Sequence, residues 1–202
     1  YATVIVEDLR KQIYASKEGS LKMELEIDEM LVELIQNATQ KALDKLFEEH
    51  KEKFYYCSLI TTGEGLCPII SAWSYEALER VANEEEDVEE AKFYLKWSYD
   101  ETPYFAYGEE YFEDVNKVFL DRMRDLMTEK DKDREVQLRI NSMERVMHNL
   151  DMNGVFGNGE KRLDIVINAE FMPPDYTNTE RALRLNPREA LTDWLEEIAE
   201  EI

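Results

Sequence analysis

The stretch Phe54-Tyr-Tyr-Cys-Ser-Leu-Ile-Thr-Thr62 limits the possible folds more than any other part of the chain. It contains no charged residue, and it is rich in aromatic and β-branched side chains, which are typical of strands. Both of its alternating faces are largely apolar, so a strand formed here needs cover on both sides. We therefore predict a central strand in a sheet that carries helices on its faces.

Other stretches predict elements that surround this strand. Pro68–Trp73 and Leu163–Ile167 predict further strands, and Asp164 interrupts the second of them with a charge. Leu21–Ile27 alternates apolar and charged residues, which favours a half-buried strand. Apolar residues at helical spacing predict long helices, with Asp28 as a cap for the first, over residues 28–52, 109–127 and 133–150.

These elements predict an α+β fold. We expect a single domain over residues 1–202, with a central mixed or mainly antiparallel sheet covered by several helices. A chain of 202 residues is long enough to bury a sizeable core. No internal repeat and no change in composition marks a second domain.

The charge of the chain limits its partners. It carries 46 acidic and 24 basic residues, a net charge of -22, and both halves contribute to the excess. Such a chain repels phosphate backbones and anionic membranes, so we expect no nucleic-acid and no membrane binding. A basic protein partner or a cation would be attracted. The oligomeric state is left open.

The sequence predicts a cytoplasmic protein. Cys57 and Cys67 are the only cysteines, and two cysteines make neither a disulfide framework nor a zinc site. A hairpin disulfide between them is the less favoured alternative to two buried thiols in a reducing compartment. No apolar run approaches ~18 residues, and no signal peptide is visible.

One loop has the spacing of a calcium site. From Asn149 as position one, Asp151 and Asn153 follow at positions three and five, Gly154 at six and Glu160 at twelve. However, position one lacks a carboxylate, and a predicted strand follows where a calcium-binding hand has a helix. The alternative interpretation is a helix that ends near Leu150 with Asn153 or Gly154 in the left-handed region.

Neither histidine belongs to a recognisable catalytic motif, and we predict no cofactor. Five aromatic residues form the other candidate site, as the lining of a pocket, as a partner surface or as the cover of the sheet: Trp73, Trp97, Tyr99, Tyr104 and Tyr107. Acidic residues are so abundant that no pair can be singled out for acid–base chemistry.

Several short segments together resemble the bacterial domain-of-unknown-function family DUF4303 over roughly residues 28–200. They are Phe54–Thr62, Ala72-Trp-Ser-Tyr-Glu-Ala-Leu78, Lys96-Trp-Ser98 with Tyr104, Gly154-Val-Phe-Gly157 and Leu163–Ile167. The resemblance implies a cytosolic α+β domain without an assigned reaction. By analogy with the SMI1/KNR4 (SUKH) group, it also suggests an immunity protein of a bacterial toxin system.

We therefore expect a non-enzymatic protein-binding module, with a basic toxin as one kind of partner. The alternative is a carboxylate-using enzyme or small-ligand binder with an aromatic pocket near Trp97–Tyr107.

Overall fold

A three-stranded mixed sheet organises the structure, a computed structural model that describes residues 26–200. In that range the α-helices and strands, in chain order, are α1 (Glu29–Glu49), β1 (Phe54–Thr62), β2 (Ile69–Ser74), α2 (Tyr75–Ala82), α3 (Val88–Leu95), α4 (Glu113–Arg124), α5 (Glu129–Met152), β3 (Val166–Met172), α6 (Tyr176–Leu185) and α7 (Thr192–Glu197). Short 3-10 turns span Glu109–Phe112, Gly159–Asp164 and Arg188–Leu191. The predicted α+β fold is confirmed.

The uncharged stretch forms the central strand, as predicted. β1 pairs antiparallel with β2 on one side and parallel with β3 on the other, so the sheet is mixed. Every residue of β1 up to Thr61 is buried. Helix α5 packs against β1, β3 and α1, while the segment after Trp97 lies over the sheet through hydrogen bonds to β2. The single core cluster of the described residues includes side chains from all three strands.

The helix boundaries follow their capping residues. Asp28 accepts hydrogen bonds from the backbone N–H groups of Met30 and Leu31 and begins α1, as predicted, although α1 ends at Glu49. The predicted helix over 109–127 begins as a 3-10 turn. The predicted helix over 133–150 begins earlier, because Thr128 accepts from the N–H of Asp131 and caps α5.

The prediction for the third strand was wrong at its start. Leu163 and Asp164 belong to a 3-10 turn, and the strand begins at Val166. The guanidinium of the buried Arg162 donates to the carbonyls of Ile165, at 2.6 Å, and Leu185, at 3.2 Å, which fixes the turn before the strand. Asp164 is exposed and interrupts no strand. The predicted strand Leu21–Ile27 lies outside the described residues, apart from Glu26 and Ile27, which are in no regular element.

Side chains complete the hydrogen bonding along the outer edge of β3. Asn186 accepts from the N–H of Ile167 and donates to its carbonyl, at 2.9 and 2.7 Å. Asn178 makes the same pair of bonds with Phe171, at 2.8 and 2.9 Å. Between them, Arg181 donates to the carbonyl of Ala169, whose N–H is bound by the side chain of Asn168. The edge therefore offers no unpaired backbone group to another strand at these three residues.

No helix in residues 26–200 has the length and apolar character needed to cross a membrane.

Asn178→Ala tests the side-chain pairing of β3. The substitution removes both partners of the Phe171 backbone, and it should lower the free energy of unfolding by about 2–4 kcal/mol. Urea unfolding measures the change. Asn116→Ala, at an exposed position of α4, is the matched control and should change stability by less than about 0.5 kcal/mol. Equal effects of the two substitutions would contradict the structural role of Asn178.

Candidate functional site

The five predicted aromatic residues do not form one pocket. Trp73 is fully buried and donates from its indole N–H to the carbonyl of Ser98 at 2.6 Å, so it packs beneath the overlying segment. Trp97 and Tyr99 line a cleft beside β3. Tyr104 and Tyr107 lie near the end of α1 instead.

Tyr104 and Tyr107 pack against the end of α1 and do not line a pocket with Trp97 and Tyr99. Tyr104 is buried, and its ring lies 4.7 Å from that of His50 and 5.4 Å from that of Phe54. Its hydroxyl donates to Glu52 at 2.7 Å, and that of Tyr107 donates to Glu49. These contacts attach the segment to the end of α1, which favours the sheet-covering interpretation for both residues.

Glu52 is the polar centre of this group. It also accepts from Ser74 and lies 3.3 Å from Arg80. Burial by itself would raise the pKa of Glu52, but the hydrogen bonds from Ser74 and Tyr104 and the charge of Arg80 outweigh it and lower the pKa. Glu52 is therefore a stable anion that holds three elements together.

The cleft beside β3, which we call the Glu170 cleft, has aromatic walls. Its volume is about 180 Å³, and four rings contribute to its lining: Tyr56, Trp97, Tyr99 and Trp194. The register pairs Tyr56 with Val166 and Ile60 with Glu170. Side chains alternate along a strand, so residues four positions apart share a face, and Tyr56 and Glu170 therefore lie on the same face of the sheet. Asn178 and Thr179 of α6 form another wall. Thr179 donates to the carbonyl of Glu200, which attaches the last described residues to that wall.

Glu170 has an unusual environment among the carboxyls of residues 26–200. Its residue exposure is 4%, and its two oxygens each lie 3.1 Å from the hydroxyl of Tyr56. The other buried carboxyls, Glu135 and Glu144, form ion pairs with arginines, whereas Glu170 has no ion pair with any described residue. A buried carboxyl without a cation is costly in its charged form.

The buried environment raises the pKa values of both Glu170 and Tyr56. Burial raises the pKa of Glu170 above its ordinary value of 4.5, against the opposing effects of hydrogen bonding from Tyr56, Asn168 and Ser58 and of the Arg181 charge. Burial, followed by the charge of Glu170, raises the pKa of Tyr56 well above its usual range. Tyr56 is therefore the hydrogen donor of this pair, and Glu170 is able to take up and release a proton.

The Glu170 cleft is acidic as well as aromatic. Asp100, Glu170 and Glu200 contribute to its lining, and none of the described residues that line it is Lys, Arg or His. Arg181 lies close enough to influence Glu170, but it donates to the Ala169 carbonyl and to Asn178. The cleft is therefore suited to a cationic or neutral group and unsuited to an anion.

A second depression, which we call the acidic groove, lies between the start of β2 and helix α4. Its volume is about 590 Å³, within the usual range for ligand pockets. Cys67, Phe112 and Phe119 contribute to an apolar floor, with Leu66 and Leu120 exposed beside them. Burial raises the pKa of the Cys67 thiol to about 11, so it stays protonated at neutral pH.

Carboxylates surround the acidic groove: Glu109, Glu110 and Glu113. Glu110 pairs with Lys45 at 2.8 Å, while Glu109 and Glu113 have no ion pair with a described residue. Arg139 also borders the acidic groove, but its guanidinium binds Glu135 and the carbonyls of Gly65 and Phe119. The free charge of the acidic groove is therefore negative.

The loop with calcium spacing terminates a helix. Helix α5 ends at Met152, and Gly154 has a φ of 78°, which confirms the left-handed termination. Asp151 is paired with Arg162, while Asn153 and Glu160 are exposed. In residues 26–200, no group of three or more His, Cys, Asp or Glu could hold a metal ion. Calcium binding by Asp151, Asn153 and Glu160 stays a prediction.

Tyr56, Glu170 and Trp194 were not predicted as members of a site. One signal was available for Glu170: the alternation of the strand continues through Asn168 and Glu170, which places both on one face. Nothing in the sequence indicated that Trp194, from the last helix, would reach the same cleft.

Comparison with known proteins identifies a family. The model of a family described as "Domain of unknown function (DUF4303)" matches residues 35–187, more than half of the chain. Neither the curated proteins nor the solved structures contain a match to the chain.

The raised pKa of Glu170 predicts that the effect of Glu170→Gln on folding stability depends on pH. Above pH 4.5 the unfolded chain releases the Glu170 proton, whereas the folded chain retains it to higher pH. The wild type therefore loses stability relative to the variant as pH rises from about 4.5 to the folded pKa, by at most about 1.4 kcal/mol per pH unit. Urea unfolding at a series of pH values measures this difference.

Glu196→Gln, at an exposed position of α7, controls for the loss of one charge. A stability difference between the wild type and Glu170→Gln that does not change with pH would contradict the raised pKa.

Proposed function

The chain belongs to the DUF4303 family, and from that premise we propose that it is a non-enzymatic binding protein whose partner is a basic protein. The family is described as a domain of unknown function, so membership assigns no reaction. The proposal is supported mainly by the acidic groove, which combines an apolar floor with unpaired carboxylates.

The distribution of charge supports a basic partner. Residues 26–200 contain 41 acidic and 20 basic residues, a net charge of -21, so nearly the whole excess lies in the described part of the chain. Several arginines are used inside the fold: Arg122, Arg139, Arg162 and Arg181 bind carboxylates or backbone carbonyls. Three arginines and three glutamates are buried, so the excess of carboxylates lies at the surface, which accelerates association with a basic partner.

The shape of the acidic groove supports a protein segment as the occupant. A segment with apolar side chains on one face and Lys or Arg beside them would cover Leu66 and Leu120 and meet Glu109 and Glu113. Burial of the exposed apolar side chains would supply affinity, while the charges would fix orientation and increase the association rate.

The more specific form of the proposal is an immunity protein that binds a basic toxin in the bacterial cytoplasm. The unpaired thiols of Cys57 and Cys67 support a reducing compartment. A carboxylate-using enzyme is the alternative proposal, and the Glu170 cleft would be its site.

Recovery and kinetics of the partner test the proposal. The immobilised chain should recover a basic protein from the native host at low salt. Association of the purified partner should slow at least about tenfold as ionic strength rises from low to physiological values. The double substitution Glu109→Gln/Glu113→Gln should weaken binding by about tenfold at low salt.

Glu84→Gln/Glu86→Gln is the matched control. It removes the same charge from the exposed segment before α3, so it measures the effect of net charge alone. Recovery of no basic partner, or equal weakening by the two double variants, would contradict the role of the acidic groove.

A further inference from the structure

We propose that the Glu170 cleft binds a small organic ammonium ion, with the Glu170 carboxylate as its counter-ion and the surrounding aromatic rings as its walls. This site is independent of the proposed binding of a basic protein, because the Glu170 cleft and the acidic groove share no lining residue.

The lining has the chemistry that recognises ammonium groups. Aromatic faces attract cations through the negative charge above and below the ring, and the effect grows when water is excluded. Tyr56, Trp97, Tyr99 and Trp194 contribute four rings to one small space. Lys96 lies 5.1 Å from the Trp97 ring, but its ammonium group is held by Glu197 and Asp193 and is not part of the lining.

Glu170 has hydrogen-bonding capacity that the protein does not use. An ionised carboxylate has about four acceptor positions. The Tyr56 hydroxyl offers one hydrogen to the two oxygens, at equal distances of 3.1 Å, and the side chains of Asn168 and Ser58 are further hydrogen-bonding neighbours of the carboxyl. An N–H group of a primary ammonium ion could occupy an acceptor position that these side chains leave open, and the ion would supply the positive charge that this buried carboxyl lacks.

The size of the cleft limits the ligand. A volume of 180 Å³ is equivalent to about six water molecules at roughly 30 Å³ each. This space accommodates a short alkylammonium ion, and it is too small for most of the volume of a nucleotide or a drug-sized molecule. Asp100 and Glu200 are exposed, so they would attract a cation from solution.

Proton release would accompany binding when Glu170 is protonated. The entering cation stabilises the carboxylate, and the proton passes to the buffer. Affinity should therefore rise with pH until Glu170 is ionised in the free protein. The charged or titratable groups around this carboxyl are Tyr56 of β1, Arg181 of α6, Asp100 and Glu200, and the direction of the effect follows from the raised pKa of Glu170.

Calorimetry with n-butylammonium chloride tests the proposal on the full chain. We expect saturable binding of one ion at mildly alkaline pH, with a Kd of roughly 1 mM or lower. 1-Butanol is the neutral control and should bind at least about tenfold more weakly, since it cannot replace the ion-pair interaction. The affinity for choline, measured beside that for n-butylammonium, shows whether a quaternary ammonium group binds as well as a primary one. The affinity for N-acetyl-lysine methylamide shows in the same way whether a lysine side chain of a protein binds as well as a free amine.

Two substitutions separate ion pairing from aromatic packing. Glu170→Gln should weaken n-butylammonium binding at least about tenfold and leave 1-butanol binding unchanged. Tyr99→Leu, at a half-buried wall position, should weaken ammonium binding several-fold while the protein stays folded. Glu196→Gln, an exposed carboxyl of α7 outside the lining, should bind as the wild type does.

Absence of saturable ammonium binding to the wild type would overturn the proposal. Equal affinity for n-butylammonium and 1-butanol would also overturn it, because equal binding is expected of an apolar cavity in which no ion pair contributes to affinity. If Glu170→Gln does not fold, unchanged ammonium affinity in Tyr99→Leu is the result that counts against the aromatic site.

Discussion

The outer edge of β3 is the constraint on which the rest of the structure depends. β3 is a parallel strand at the side of a three-stranded sheet, and no fourth strand pairs with it in the described residues. Asn178, Arg181 and Asn186 supply the hydrogen bonds that such a strand would supply. These bonds fix α6 against the sheet, and they also place Asn178 and Thr179 in the wall of the Glu170 cleft.

Buried arginines connect parts of the fold that are distant in sequence. Arg139 joins Glu135 to the carbonyls of Gly65 and Phe119, and Arg162 joins Asp151 to the chain before β3. A planar guanidinium with five donors suits such positions, because one side chain reaches several acceptors. Among the described residues three arginines and three glutamates are buried, so these charges balance and the acidic excess lies at the surface. Glu170 differs from the other two buried glutamates, because it lies beside a tyrosine hydroxyl without an ion pair to a described residue.

Local chemistry determined which elements could be predicted. The composition of Phe54–Thr62 predicted β1 with its observed bounds, and the cap Asp28 predicted where α1 begins. The prediction failed at Leu163, because Arg162 stabilises a turn partly through the carbonyl of Leu185, which is distant in sequence. The strand continued to Met172 despite Asn168 and Glu170, which have low strand propensity but lie on a covered face.

The candidate site was less predictable than the fold. Trp97 and Tyr99 of the aromatic segment both line the Glu170 cleft, whereas Tyr104 and Tyr107 bind carboxylates near the end of α1. The Glu170 cleft combines β1, β3, the segment after Trp97, α6 and α7. Contacts between elements so far apart in sequence depend on the tertiary packing, and no local pattern encodes them.

Hydrogen exchange at the backbone N–H groups of Ile167 and Phe171 tests the role of the β3 edge most directly. If Asn186 and Asn178 complete this edge, both amides should exchange only when the whole domain unfolds, as slowly as the most protected amides of β1. If these two amides exchange at the rates of an open edge strand while β1 stays protected, the structural role of Asn178 and Asn186 at this edge is contradicted.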